Sequence, residues 1–291
     1  MNLLADTRRD VHQIANDPLL TEHWEGNMTL EFERRELRTV IAKKNHSGPL
    51  TVQQPFYPES DVCHVYLLHP PGGLVGGDRL TINAAAAAQT HALITTPAAS
   101  KFYRSPAKLA ELQQRLIVGE NACIEWLPQE TIFFAGCHAR LDTRIDVAAT
   151  GRFINWETLC FGRPAAGELF DAGTVEQRLE IWRDGQPSVI ERLALTGGDR
   201  LQTEAWGLSG YSAVGTMTAG PADVDLVSRV QTLVKPNSGC VFGATLLDDV
   251  AVFRCMAAYA EVVRSVLVQV WTVIRPAIGG KTAREPRIWR T

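Results

Sequence analysis

Leu112-Gln-Gln-Arg-Leu-Ile-Val118, Ala122-Cys-Ile-Glu-Trp126 and Thr131-Ile-Phe-Phe134 follow one another with only a few residues between them. Each run is too short for a helix of ordinary length and is rich in β-branched or aromatic residues, which predicts strands. The same grain extends in both directions. Met28, Leu30 and Phe32 alternate with Thr29, Glu31 and Glu33 at the period of a half-buried strand. Thr39–Ala42, His64–Leu68, Leu80–Asn83, Ala92–Thr95, Arg144–Val147 and Arg152–Leu159 read as further strands. Ala84–Ala88 has helical propensity but lies between two strand pieces, so it is expected to be extended. Val175–Trp182 and Ser188–Leu195 flank Asp184-Gly185, a two-residue hairpin signal, and Val241–Leu247 and Val250–Met256 flank Asp248-Asp249.

Helical spacing emerges only towards the C-terminus. Val224, Val227, Val230 and Val234 share one face of Asp223–Val234. Ala258–Arg275 places Tyr259, Val262, Val263, Val266, Leu267, Val270, Trp271 and Ile274 on one broad face, and Pro276 is expected to end it. The fold class is therefore mainly β: one domain of many short strands over 24–291 with two helices near the C-terminus. Residues 1–23 are polar and unpatterned and are expected to form a flexible tail. No repeat of fixed period stands out.

The chain has 291 residues, 45% of them hydrophobic and 21% charged, with a formal net charge of -3. It is long enough to bury a large core without disulfides or a structural metal. The charge balance supplies no field for nucleic acid and no basic patch for an anionic membrane. The N-terminus lacks a signal-peptide apolar stretch and no apolar run is long enough to span a bilayer, so a cytoplasmic location with reduced thiols is expected.

Motifs for chemistry mostly fail. His69-Pro-Pro-Gly-Gly-Leu-Val-Gly-Gly-Asp-Arg-Leu80 concentrates Gly72, Gly73, Gly76 and Gly77. The gap from Gly72 to Gly77 fits a phosphate loop, but Asp78-Arg79 stands where Lys-Ser/Thr is needed. The expected role is a tight turn with Asp78 capping backbone N–H groups. Ser105-Pro-Ala-Lys108 fits S-x-x-K without the companion motifs of an acyl-transfer enzyme. Cys63-His64 and Cys137-His138 raise the alternative of a stand-alone metal-binding module. However, neighbours on a strand face opposite ways, so one dipeptide does not readily give two ligands to one ion. Asp61, Asp78, Glu130, Glu157 and Glu168 lie beside apolar or glycine-rich sequence.

Several segments resemble the UreD (also UreH) family of urease accessory proteins, in order and over nearly the whole chain. They are Leu67–Leu80 with its glycines, Thr95-Thr-Pro-Ala-Ala-Ser-Lys-Phe-Tyr-Arg-Ser105, Glu125-Trp-Leu-Pro-Gln-Glu130, Trp156–Gly162 with Gly167-Glu168, and Trp271–Pro276 with Pro286-Arg-Ile-Trp289. The resemblance implies a β-helix-like body, no enzymatic activity, and a scaffold or chaperone role in urease metallocentre assembly. It implies the F and G accessory proteins and apo-urease as partners, and an internal water-filled tunnel. Nickel is then expected in transit, with no tightly bound cofactor. Glu168 is the first candidate for the nickel path, with Asp61, Asp78, Glu130 and Glu157 behind it. Lys101, Tyr103, Arg104 and Arg79 are expected to hold the motif segments in place. Arg275, Arg287 and Trp289 are expected to contact partners.

Overall fold

The computed structural model describes residues 23–235 and 239–290. The tail expected over the first 23 residues lies outside them except for His23. β1 (Glu25–Arg35) and β2 (Arg38–Ser47) form a hairpin, followed by the short β3 (Thr51–Val52). The chain then winds. It lays down β4 (Cys63–Leu68), β5 (Arg79–Ala86), β6 (His91–Thr95), β7 (Ser100–Phe102), β8 (Ala110–Val118), β9 (Cys123–Trp126), β10 (Thr131–Phe133), β11 (Cys137–Val147), β12 (Arg152–Phe161) and β13 (Gly173–Arg183). Successive turns stack strands in parallel. β5, β8, β11 and β13 lie side by side in one sheet, and β4, β6, β9 and β12 in a second. β7, β10 and the end of β12 make a short third ladder at the corner. The result is a solenoid whose coils differ in length, which is why no fixed repeat shows in the sequence.

Antiparallel strands finish both sheets. β14 (Gln186–Thr196) pairs with β13. Past the single turn α1 (Arg200–Thr203), β15 (Ala213–Gly220) pairs with β12. α2 (Val224–Leu233), β16 (Cys240–Leu247), β17 (Val250–Ala257) and α3 (Ala260–Ile278) complete the order. The first sheet runs β14-β13-β11-β8-β5-β1-β2 and the second β16-β17-β15-β12-β9-β6-β4-β3. Both hairpins announced by Asp-Gly and Asp-Asp form, with Asp184 and Gly185 at φ 47° and 74°.

Register is fixed from inside and outside. Inward rows of Leu, Ile and Val fill the space between the sheets. On the outer face of the first sheet, Glu25, Arg79, Glu111, Arg140 and Glu176 stand opposite one another in alternating charge. Arg79 Nη2 meets Glu111 Oε1 at 2.7 Å and Arg140 Nη2 meets Glu176 Oε2 at 2.9 Å. Any one such surface pair contributes little, but a one-residue slip would move the apolar rows to the outside.

A second core lies on the far face of the second sheet, where Val263, Val266, Leu267, Val270, Trp271 and Ile274 of α3 pack on β12, β15 and β17. α3 continues to Ile278 with Pro276 inside it, contrary to the sequence expectation. Proline's fixed φ suits a helix, and its missing N–H forgoes one bond, to the carbonyl of Thr272, in the final turn only. Asp223 caps α2, its Oδ1 accepting the Leu226 amide at 2.8 Å. Val224 is 65% exposed and Leu226 is buried in its place. β15 was not foreseen, because in Ala213-Val-Gly-Thr-Met-Thr-Ala-Gly220 the β-branched Val214, Thr216 and Thr218 are diluted by glycine and alanine, which are depleted in strands. Packing explains its composition: a Cβ at Gly215 would lie 2.5 Å from Val263 Cγ1 and 2.9 Å from Cys255 Sγ.

Candidate functional site

Apolar residues at alternate positions point inward along β8, β11 and β13, and each strand breaks the pattern once. Gln114 sits between Leu112 and Leu116, Thr143 between Leu141 and Ile145, and Gln177 between Val175 and Leu179. β12 contributes Asn155 and Glu157 from the opposite sheet. Inside the solenoid Asn155 Nδ2 donates to Thr218 Oγ1 of β15 at 3.4 Å, and Glu157 meets the polar groups of the first sheet. Thr143 Oγ1 donates to Glu157 Oε1 at 2.5 Å and Gln177 Nε2 donates to Glu157 Oε2 at 2.8 Å. Burial pushes the Glu157 carboxyl up to about 7, against the two hydrogen bonds. A carboxyl so placed is poised between neutral and charged forms near physiological pH.

Glu157 lines a cavity of about 290 Å³ between the sheets. Its walls are mainly apolar, from Leu80, Ile82, Leu112 and Leu141, and it runs beneath the segments Leu67–Pro70 and Thr96–Lys101. Two further buried polar atoms on its walls have no protein partner, Gln114 Oε1 and Trp126 Nε1. Buried polar atoms cost free energy when unpaired, so a cavity with an orphan donor and an orphan acceptor suits water or a solvated guest. His69 also lines the cavity, and burial lowers its imidazole against the pull of Asp78.

The motif segments converge on the corner above this cavity. Leu74 N donates to Lys101 O at 2.7 Å and Tyr103 N to Leu74 O at 2.9 Å, joining the glycine loop to the next coil. A Cβ at Gly73 would overlap Tyr103, and one at Gly76 the Ser105 hydroxyl. Those two glycines therefore serve close packing, while Gly72 and Gly77 supply φ of 79° and 99°. Asp78 caps as expected, its carboxylate accepting Trp24 N and Val75 N at 2.9 Å each. In the following coils Phe102, Phe133 and Phe161 stack inside at centroid spacings of 5.3 and 5.6 Å. Outside, Tyr103 meets Phe134 at 4.9 Å, Arg163 lies over Phe134 at 4.7 Å, and Arg104 Nε donates to Ala135 O.

The second core holds a cluster that the sequence reading missed. Glu125 and Arg275 are both fully buried. Arg275 Nε donates to both Glu125 oxygens at 3.0 Å, and its Nη1 and Nη2 donate to Glu59 at 2.7 and 2.9 Å. His91 Nε2 lies 2.7 Å from Glu125 Oε1, His64 Nε2 lies 2.7 Å from Glu59 Oε1, and Trp271 Nε1 donates to Glu125 Oε2 at 2.7 Å. Burial alone would raise both carboxyls. His91 and Arg275 hold Glu125 at about 2, and His64 and Arg275 hold Glu59 at about 2. Arg275 is thus a bolt between α3 and the sheet. Trp289 is also buried, tilted against Trp156 and edge-on to Trp271, with Nε1 donating to Thr95 Oγ1 at 2.9 Å. Both residues were expected at a partner surface, and both are instead enclosed by this chain. Arg287 is exposed.

The five candidate carboxylates do not gather. Of them only Glu157 lines the cavity. Glu168 is exposed and paired with Arg163, which lowers its pKa. Asp61 binds Lys281 Nζ through both oxygens at 2.8 Å. Asp78 is occupied by backbone amides, and the backbone carbonyl of Glu130 accepts Ser100 N at 2.9 Å. Cys63 and Cys137 are buried in the inner core, with burial raising their thiols to about 11 and about 12. Among the described residues, no group of three or more His, Cys, Asp or Glu is arranged to hold a metal ion. No described helix is long and apolar enough to cross a membrane.

The fold and chamber define a β-solenoid protein with a polar spot buried in an apolar cavity between its sheets. The chain belongs to the UreD family of urease accessory proteins: the family model of the UreD urease accessory protein matches residues 25–290. It is 44% identical over 287 residues to the urease accessory protein UreD of Citrobacter koseri, covering 99% of this chain and 98% of that protein. It is 43% identical over 276 residues to that of Klebsiella aerogenes, covering 94% and 99%. It is 43% identical over 279 residues to that of Pseudomonas entomophila, covering 96% and 99%.

Proposed function

We propose that the chain serves urease maturation as a non-catalytic scaffold that passes Ni²⁺ through the solenoid interior towards apo-urease, working with the F and G accessory proteins in the cytoplasm. The observation that carries this is Glu157, a carboxyl kept inside an apolar cavity at a cost in stability. Its elevated pKa lets it exchange a proton for a cation near neutral pH. Gln114 and Thr143 supply oxygen atoms near it, Gln177 faces it with its amide nitrogen, and His69 supplies a neutral imidazole under the glycine loop. Such a set binds nickel weakly, as a conduit requires. The inner thiols do not trap the ion, because burial keeps them protonated and the thiolate is the ligand.

Glu168 takes a different place in this proposal. An ion at Glu168 must displace Arg163, so its role is at the surface, before or after the interior passage. Asp61, held by Lys281, and Asp78, held by backbone amides, are proposed as structural carboxylates. Arg287 remains the partner-contact candidate of the C-terminal segment. The test is co-expression of urease and its accessory proteins with Glu157→Gln. The expected result is a severalfold fall in urease-bound nickel with the complex still assembled. Full nickel loading would remove Glu157 from the path.

A further inference from the structure

Sheet edges expose unpaired N–H and C=O groups, and proteins blunt them with charge, proline, bulges or brevity. Among the described residues, three of the four edges that end the two long strand orders are blunted, and the corner ladder ends on β7, only three residues long. β2 carries Arg38, Lys43 and Lys44, β14 carries Pro187, Glu191 and Arg192, and β3 is two residues long. The fourth, β16, is Cys240-Val-Phe-Gly-Ala-Thr-Leu-Leu247, with no charge and no proline, and among the described residues no strand lies on its outer side.

The hairpin fixes which groups are free. Leu247 and Val250 pair across the two-residue turn, so Leu247, Thr245, Gly243 and Val241 bond to β17. The alternate residues Leu246, Ala244, Phe242 and Cys240 therefore direct their backbone groups outward. One contact agrees with this parity: Gln231 Nε2 of α2 donates to Ala244 O at 3.3 Å, a long bond that partly covers the edge. On the strand's open face Val241 is 48% and Leu247 41% exposed, and a Cβ on Gly243 meets nothing within 4 Å. An apolar groove of about 500 Å³ adjoins it, walled by Leu208, Val214 and Met256.

The geometry points to β16 as a self-pairing edge, at which a second copy of this chain adds its own β16 antiparallel about a two-fold axis at Ala244. The free groups lie on even-numbered residues, so only registers pairing even with even are allowed. The register centred on Ala244 sets Val241 against the partner's Leu247, Phe242 against the partner's Leu246, and Gly243 against the partner's Thr245. From Val241 to Leu247 every facing pair is uncharged, with apolar side chains facing apolar side chains at both ends, while Cys240 faces the partner's Asp248 in the turn. Gln231 swings aside to release Ala244 O, and the partner's Leu247 comes to lie beside the groove. One added strand pair buries little surface, so the pairing is weak and concentration-dependent.

Sedimentation velocity on the purified full chain, at increasing concentration, tests this. Wild type is expected to shift from monomer to dimer. Gly243→Lys, which has open space in the monomer, is expected to stay monomeric with an unchanged circular dichroism spectrum and melting temperature. Val241→Lys is likewise expected to stay monomeric, and Val241→Lys with Leu247→Glu is expected to recover the dimer through two cross-strand ion pairs. A monomer at every concentration overturns the inference. So does a dimer that survives Gly243→Lys, or a double variant that stays monomeric. If wild type is monomeric alone but loses binding to apo-urease on Gly243→Lys, the edge serves a different partner and self-pairing is again overturned.

Discussion

Replacing Glu157 by glutamine removes a titrating group while keeping its shape and hydrogen bonds. Thr143 Oγ1 still donates to the amide oxygen, and the amide NH₂ takes up Gln177 once its side-chain amide turns over. The sign of the effect follows from the raised pKa. A carboxyl at about 7 in the folded chain and 4.5 in the unfolded chain binds its proton more tightly when folded. Wild-type stability is thus fully present below about pH 4.5 and falls as pH rises to 7, where the unfolded chain ionises freely and the folded chain does not. At about 1.4 kcal/mol per pH unit, the loss is roughly 3 kcal/mol by pH 8. Glu157→Gln does not suffer it. Urea denaturation at pH 5 and pH 8 should therefore show near-equal stability for the two proteins at pH 5. At pH 8 the variant should be more stable by ~2–3 kcal/mol. Equal stability at both values, or a variant weaker at pH 8, would refute the account of this carboxyl.

Other perturbations probe the frame. Arg275→Leu strands Glu59 and Glu125 without their cation and should cost ~3–5 kcal/mol by urea denaturation; an effect below 1 kcal/mol would show that the cluster relaxes. On the acid side, Glu125 and Glu59 at about 2 stabilise the fold above their unfolded pKa, and that contribution disappears as pH falls from about 4.5 towards 2. Acid titration followed by tryptophan fluorescence should show this limb, and the Arg275→Leu protein should lack most of it. Gly76→Ala drives a methyl into the Ser105 hydroxyl and should cost ~1–3 kcal/mol, with Ser105→Gly in the same chain recovering part of it; no recovery would place the strain elsewhere.

Much of the fold was legible because period-two runs such as Met28–Glu33 and the two Asp-centred hairpins report local physics. Winding was not legible locally, since coils of unequal length leave no fixed period, and parallel neighbours such as Arg140 and Glu176 are far apart in the chain. β15 was missed because its glycine and alanine answer to α3 and not to strand propensity. The chamber did leave a signal: Gln114, Thr143 and Gln177 each interrupt an otherwise apolar inward row. That signal only becomes a site once the rows are known to face one another. Glu168 and Arg275 show the converse, since charge beside a motif does not say whether the group meets solvent or a buried partner.

The most direct test is the nickel content of urease purified from cells that express all accessory proteins with wild-type chain, Glu157→Gln or Glu168→Ala. Retention of the chain on urease is measured in the same samples. Because Glu157→Gln is expected to fold at least as well as wild type, a loss of nickel with normal retention cannot be assigned to misfolding. The account predicts that result for Glu157→Gln. Urease filled with nickel to the wild-type level in the presence of Glu157→Gln would contradict an interior route past this carboxyl.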